Sequence, residues 1–343
     1  RRVLRRQLHH PGRHRRRDLM QAILYLLAAA AACAVLGWYM IVVPGESFRG
    51  GFAPLEANEI ALRAALKRHV ETIASTEHNA ATPALYEQAA AYIEQSLARA
   101  GYAARSQSFS WGGGVTRNIE VLIPGTKRDA IVIGAHYDSV DGSPGANDNG
   151  SGVAAALELA LALRGWKPKH SIRIAFFANE EPPYFHSEAM GSKVYADGLA
   201  AAGEPVRAMF SLETIGYYSD RPGSQHYPFP LGLFYPDRGD FLAFVANLAS
   251  RPLLHAAISV FREQARFPSE GVAAPAIIPG VDWSDQWSFW RHGVPALMLT
   301  DSAPYRYPHY HQASDTPDKV DYDRLARVVT ELERMFRALD ERL

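Results

Sequence analysis

Apolar and polar positions divide the chain into two unequal stretches. From Leu19 to Val43 no charged side chain interrupts an apolar run of 25 residues. As a helix, such a run spans a hydrocarbon core of about 30 Å. Residues 44–54 contain Pro and three Gly and read as a linker. Beyond them the pattern becomes amphipathic. Ile60, Leu62, Leu66 and Val70 recur at helical spacing within 55–75. Tyr86, Ala89, Tyr92, Ile93 and Leu97 do so within 84–100, and Gly101 is placed to close that helix. Short apolar runs then predict strands at 103–110, 117–123, 129–135, 171–178, 206–212 and 295–300, alternating with helices at 151–164, 190–201, 238–250 and 321–340. Several strand runs are continuously apolar, as expected when helices cover both sheet faces. The alternation predicts a single α/β domain over 55–343, with a mixed, largely parallel central sheet flanked by helices, preceded by one transmembrane helix.

Charge sharpens the division. The chain is formally neutral, with 36 basic and 36 acidic residues, but residues 1–18 hold eight Arg against one Asp. The remainder carries 28 basic and 35 acidic residues. A basic tail over 1–18 directly before an apolar run at 19–43 stays in the cytoplasm by the positive-inside rule, and the rest of the chain crosses. Three readings of the run compete: a retained signal anchor, a cleaved signal peptide, and a lipoprotein attached through Cys33. Apolar segments of cleaved signals are usually about 7–15 residues long. The run also continues past Cys33 as Ala34-Val35-Leu36-Gly37-Trp38, so the anchor is the expectation. Cys33 is the single cysteine, which excludes an intrachain disulfide and a cysteine-based zinc site beyond the span. An exported domain without disulfides fits a bacterial periplasm. The expected location is therefore the inner membrane, single-pass, with the α/β domain periplasmic or extracellular. The bilayer is an expected partner through residues 19–43. Arginines beside a span read as topology and attraction to anionic lipid, so nucleic acid is not an expected partner. Nothing in the pattern speaks to oligomeric state.

The candidate chemistry lies where acidic and His residues fall relative to the strands. His136 and Asp138 follow the third predicted strand in GAHYDS. Asp148 lies in the Gly-rich PGANDNGSG, which opens a helix. Glu180 and Glu181 end a strand in FFANEE, Glu213 ends another in SLETIG, and His311 lies in the loop YPHYHQASDTPD. In open α/β sheets, ligands bind outside the carboxyl ends of the strands. Two His and three carboxylates, one of them shared, satisfy a zinc pair roughly 3.5–4 Å apart. One further carboxylate is then free to take a proton from water.

GAHYDS, GANDNGSG, NEE followed by a Gly-Ser-containing helix, and YHQASDTPD together resemble the di-zinc aminopeptidase family, which includes bacterial secreted aminopeptidases, aminopeptidase Y and glutamate carboxypeptidase II. The resemblance covers about residues 55–343. It implies a three-layer sandwich, two bound zinc ions and a peptide substrate. By the same resemblance His136 and Glu213 ligate the first zinc, Glu181 and His311 the second, and Asp148 bridges both. Glu180 is the general base and acid, Asp138 orients His136, and Tyr310 resembles the tyrosine that stabilises the oxyanion in some members. Three features depart from the family pattern. Glu213 stands where Asp is commoner, and Gln286 stands where His is common. The stretch EEPPYFHSEAMGS is longer than usual and reads as a rim loop.

Each residue also has a plainer reading. Asp148 fits a helix N-cap or turn, Glu180-Glu181 a solvated strand end, and a lone His no ligand at all. His186 and His309 lie near the motifs as candidate substrate contacts. Trp283, Trp287, Phe289 and Trp290 read as packing. The expected activity is that of a zinc exopeptidase, foremost an aminopeptidase. The alternatives are a glutaminyl cyclase, a carboxypeptidase or dipeptidase on the same fold, and a non-catalytic membrane-anchored receptor or scaffold.

Overall fold

The computed structural model describes residues 11–343, with side-chain surroundings from Leu19 onward. The basic tail expected at 1–18 lies outside the residues described in that detail. The chain divides into two units, Arg1–Val42 and Val43–Leu343. The first contains one helix, α1 (Pro11–Ile41). Its stretch Leu19–Ile41 is long and apolar enough to cross a membrane, and it is not buried in protein. A helix apolar all round needs a core or a bilayer around it.

The second unit contains helices α2 (Ala57–Ile73), α3 (Pro83–Arg99), α4 (Gly152–Ala162), α5 (Gly191–Ala201), α6 (Arg251–Gln264), α7 (Gln286–Trp290), α8 (Ala303–Arg306) and α9 (Tyr322–Arg342). Its strands are β1 (Arg105–Trp111), β2 (Gly114–Ile123), β3 (Ala130–His136), β4 (Ser171–Phe177), β5 (Val206–Glu213), β6 (Leu242–Ala246), β7 (Ser269–Ala273) and β8 (Ala296–Thr300). They form one sheet in the order β1-β2-β4-β3-β5-β8-β6-β7. The central strands β4, β3, β5 and β8 are mutually parallel, β6 pairs antiparallel with β8, and β2 antiparallel with β4.

Side-chain alternation along β3 shows why the sheet is covered twice. Ile131 and Ile133 enter a core shared with α2, α3, α4, α6 and α9. Val132, between them, enters a second core with Phe177, Tyr195 and Phe289, under α5 and α7. The whole of β3 is buried, so its apolar run needs no polar face. This is the expected three-layer arrangement.

The helix expected at 238–250 is not formed. Its apolar centre, Leu242–Ala246, is the fully buried strand β6, and the helix follows as α6, with Pro in its first turn. A short apolar run fits strand and helix templates alike. Here an open antiparallel edge beside β8 decides for the strand. Strand β7 and helices α6 and α7 were not anticipated; β7 carries Glu270 and Gly271 and lacks a continuous apolar run. Residues 44–54, expected as a linker, are irregular but tied down. The Arg262 guanidinium donates to the Pro44 and Gly45 carbonyls, and the Ser269 amide donates to Ser47 Oγ.

Candidate metal centre

The parallel strands deliver their ends to one edge. His136, the last residue of β3, is fully buried. After β4 the chain turns through Asn179 in the left-handed region (φ 55°), which brings Glu180 and Glu181 over the same edge. Glu213 closes β5. Two loops complete the set, one at 145–151 carrying Asp148 and one at 307–321 carrying His311.

The first loop is held by side chains that its own sequence supplies. Asn149 Oδ1 accepts from the Gly152 and Thr214 amides, and its Nδ2 donates to the Leu212 carbonyl. Asn147 Oδ1 accepts from the Gly216 amide, and its Nδ2 donates to Asp301. Asp315, from the His311 loop, accepts from the amides of Asn147 and Asp148 at 2.8 and 3.1 Å. Gly145 is left-handed (φ +68°), and a Cβ there would meet the Asp148 carbonyl at 2.5 Å. The Asn147 and Asn149 side chains and the Asn147 and Asp148 amides are thus committed to holding the loop that carries Asp148.

Asp148 sits between the two imidazoles. Its Oδ1 lies 3.4 Å from His136 Nε2 and its Oδ2 3.1 Å from His311 Nε2. Glu213 Oε2 is 3.4 Å and Glu180 Oε2 3.9 Å from His136 Nε2. Glu181 Oε2 is 3.3 Å from His311 Nε2. These atoms are close without being aligned as hydrogen bonds. His136 Nε2, Asp148 Oδ2 and Glu181 Oε1 are buried with no hydrogen-bond partner. A buried polar atom without a partner is costly, and here three such atoms belong to one cluster. Three overlapping groups each place one ligand atom per residue within 4.8 Å of one another: His136-Asp148-Glu213, His136-Glu180-Glu181 and Asp148-Glu181-His311. Neutral imidazole with carboxylate is a donor set that zinc accepts, and the residues present fit it.

Asp138 acts through two different atoms. Its backbone carbonyl accepts from His136 Nδ1 at 3.0 Å, which fixes the tautomer that points Nε2 at Asp148. Its carboxylate, 3.7 Å from Nδ1, accepts from the amides of Glu180 and Glu181, each at 3.0 Å. It thereby aims the two glutamates as well as the imidazole. Tyr310 stacks on His311 with centroids 3.9 Å apart.

The electrostatics follow from burying four carboxylates and two imidazoles together. Burial raises Glu181 to about 7 against the pull of His311. It also raises Glu180 and Glu213. For Asp148, burial raises the carboxyl, but the two imidazoles close to it outweigh burial and hold it well below its ordinary range. Burial lowers His311, but pairing with Asp148 and Glu181 overrides it and lifts the imidazole to about 10.

All eight residues expected in the site meet at this edge. Two others do not take part. His186 is sandwiched between Phe185 and Trp287, and His309 is bonded to Ser314. Gln286 is buried, donating to the Val281 carbonyl, so it faces protein. Sequence reasoning passed over Asp315, Asn147, Asn149 and Ser284, the last donating to Glu213 at 2.6 Å. Asp315, Asn147 and Asn149 stood inside quoted motifs, and Ser284 lies between Trp283 and Gln286. Their signal was the density of short polar residues, which needs a partner list before it means anything.

Beside the cluster a cavity runs along the sheet face toward β7. It holds ≈ 810 Å³ of empty space, including its open mouth, with Glu213 and Tyr310 at the cluster end and Glu270 on β7. Its floor is Ala243, Val245, Val272 and Met298, and Leu231, Ile278 and Trp283 stand over it.

Comparison with known proteins agrees with this geometry. Residues 118–334 match Peptidase family M28. An uncharacterized protein of Escherichia coli, YfbL, is 39% identical over 251 residues, covering 71% of this chain and 77% of its own length. Leucine aminopeptidase 1 of Arthroderma otae is 26% identical over 263 residues, covering 70% of this chain and 64% of that protein. Among solved structures, an aminopeptidase from Aneurinibacillus sp. strain AM-1 superposes with a TM-score of 0.60 at 18% identity, covering 80% of this chain and 93% of that one. A glutaminyl cyclase from Porphyromonas gingivalis gives 0.61 at 18% identity, covering 83% and 98%. At such identities the superpositions speak for the fold alone.

Proposed function

The chain belongs to peptidase family M28, and from that premise we propose that it is a two-zinc aminopeptidase anchored in the bacterial inner membrane by residues 19–41, with residues 43–343 in the periplasm. Membership supports a zinc-dependent peptide hydrolase; the end-specificity, the metal count and the topology are the proposal. The observation that carries it is the Asp148 carboxylate, one oxygen toward His136 and the other toward His311. One position would be held by His136, Glu213 and Asp148, the other by His311, Glu181 and Asp148. Held by these residues, zinc would supply Lewis acidity and a water more acidic than bulk water.

The chain's own residues do the rest. Glu180 Oε2 stands 3.9 Å from His136 Nε2, farther than Asp148 and Glu213 at 3.4 Å, and burial raises its pKa against the pull of His136. That suits a carboxylate which takes the water's proton and returns it to the leaving amine. The Tyr310 hydroxyl, beside His311, donates to the oxygen that becomes charged in the tetrahedral state. Asp138 holds both glutamates and His136 in register. The cavity floor of Ala243, Val245, Val272 and Met298 receives the side chain of the released residue, favouring apolar ones.

The test is hydrolysis of aminoacyl-p-nitroanilides by the zinc-loaded full chain. Glu180→Gln should lower kcat by about 10²–10⁴-fold with zinc content unchanged. Failure on every free-amine substrate with zinc bound would refute the aminopeptidase reading. The fold is shared with a glutaminyl cyclase, which leaves one alternative for the same assay to separate. Conversion of N-terminal glutamine to pyroglutamate, with no peptide-bond cleavage, would establish that reading instead.

A further inference from the structure

Among the described residues outside α1, four of the five most exposed large apolar side chains lie in two neighbouring loops, the fifth being Val115 on the far hairpin. Phe229 is 91%, Leu233 74% and Phe234 60% exposed in the loop 227–235; Ile277 is 90% exposed in the loop 275–283, with Trp283 beside it. The same two loops contribute Leu231, Ile278 and Trp283 to the wall of the cavity beside the metal centre. An apolar cluster of this kind on a soluble face marks an interaction site. Side chains about nine-tenths exposed stand out as tips. A groove that gripped a peptide would bury part of each wall residue, whereas a tip is shaped to enter something soft.

The chain path indicates what that is. Val43, the first residue of the domain, lies against β7: a Cβ on Gly271 would meet Val43 Cγ1 at 3.0 Å. The next two residues are clamped there by Arg262. The loop 227–235 reaches the same strand, since the Tyr235 hydroxyl donates to the Gly271 carbonyl at 2.7 Å. The apolar stretch ends at Ile41, and two residues of chain reach at most about 7 Å. If residues 19–41 span a bilayer, its surface therefore comes within a few residues of β7 and of the loop bonded to it. Aromatic and aliphatic side chains are those that favour the headgroup boundary.

We propose that the loops 227–235 and 275–283 dip into the membrane surface through Phe229, Phe234 and Ile277, so that the substrate cavity opens at the lipid interface and draws on peptides held there. The membrane contact rests on the reading of residues 19–41 as a span and is independent of the peptidase chemistry; the supply of peptides from the interface rests on the proposed function as well.

The test uses the full chain in vesicles of phosphatidylethanolamine and phosphatidylglycerol. In a Cys33→Ser background, Phe229→Cys, Ile277→Cys and, as control, Val115→Cys each carry an environment-sensitive fluorophore. Val115 is 72% exposed on the β1–β2 hairpin, at the edge of the sheet opposite β7. The expected result is blue-shifted emission, quenched by lipid-borne nitroxides, at 229 and 277 but not at 115. Aqueous emission at all three positions in chain that floats with the vesicles would overturn the proposal. So would a chain that does not float. Because no substrate is involved, failure of the peptidase assay leaves this measurement intact.

Discussion

Asp138 concentrates much of the site's order in one residue, and its substitution separates geometry from chemistry. Its carboxylate accepts two backbone amides, those of Glu180 and Glu181. Asp138→Asn offers only one side-chain acceptor, so one buried N–H loses its partner at a cost of about 1–3 kcal/mol. Zinc affinity should fall about 10–100-fold, as is typical when a group supporting metal ligands is lost. Urea unfolding and a zinc competition titration check the two halves. Titration gives a second expectation. In the metal-free protein His311 rises from 6.5 to about 10 and Glu181 from 4.5 to about 7. Both raised values mean that the folded state binds more protons than the unfolded one between each pair. The stability from His311 is complete below 6.5 and lost as pH rises through about 10. Glu181 makes folding less favourable as pH rises from 4.5 to about 7. The metal-free fold should therefore weaken with rising pH over that range. Zinc replaces those protons, so the difference in melting temperature between zinc-loaded and metal-free chain should widen from about pH 5 to about pH 8. A constant difference across that range would contradict this account.

At the scale of elements, the loop 145–151 and helix α4 behave as one part. Gly152 opens α4, and a Cβ there would meet Asn149 Oδ1 at 2.3 Å and the Leu212 carbonyl at 2.5 Å. Both contacts belong to the network that aims Asp148. Gly152→Ala is normally helix-favouring, but here crowding should reverse the sign. We expect destabilisation of about 1–3 kcal/mol, together with weakened zinc binding, read by thermal melts with and without chelator. Strand β6 teaches a related lesson. Its five apolar residues stood at the centre of the helix expected over 238–250, because Leu242–Ala246 fits both templates. Only pairing with β8 distinguishes them.

For the molecule as a whole, the strap 44–54 and the metal centre lie at different places on one sheet and answer to different perturbations. Arg262 is nearly buried, and it donates to Pro44, Gly45 and Ser269. Arg262→Ala should cost about 2–3 kcal/mol, the order of a lost charge-assisted hydrogen-bond set, and leave kcat on a soluble aminoacyl substrate unchanged. Chelation should do the reverse: abolish turnover reversibly while the domain, with its two cores on either side of the sheet, stays folded. Circular dichroism with parallel activity measurements distinguishes the two.

The sequence by itself determined the class of fold, the apolar N-terminal helix and the eight residues that meet at the sheet edge. Those depend on periodicities and on motifs that place ligands at strand ends, which are local properties. Tertiary structure decided the rest. It made 242–246 a strand, turned 44–54 from a linker into a strap, and assigned Asp315 and Ser284 to hold Asp148 and Glu213. It also directed the Asp138 carboxylate to the Glu180 and Glu181 amides, and gathered Phe229 and Ile277 beside the cavity. Each of these depends on a partner far along the chain, and no window of local sequence contains that partner's position.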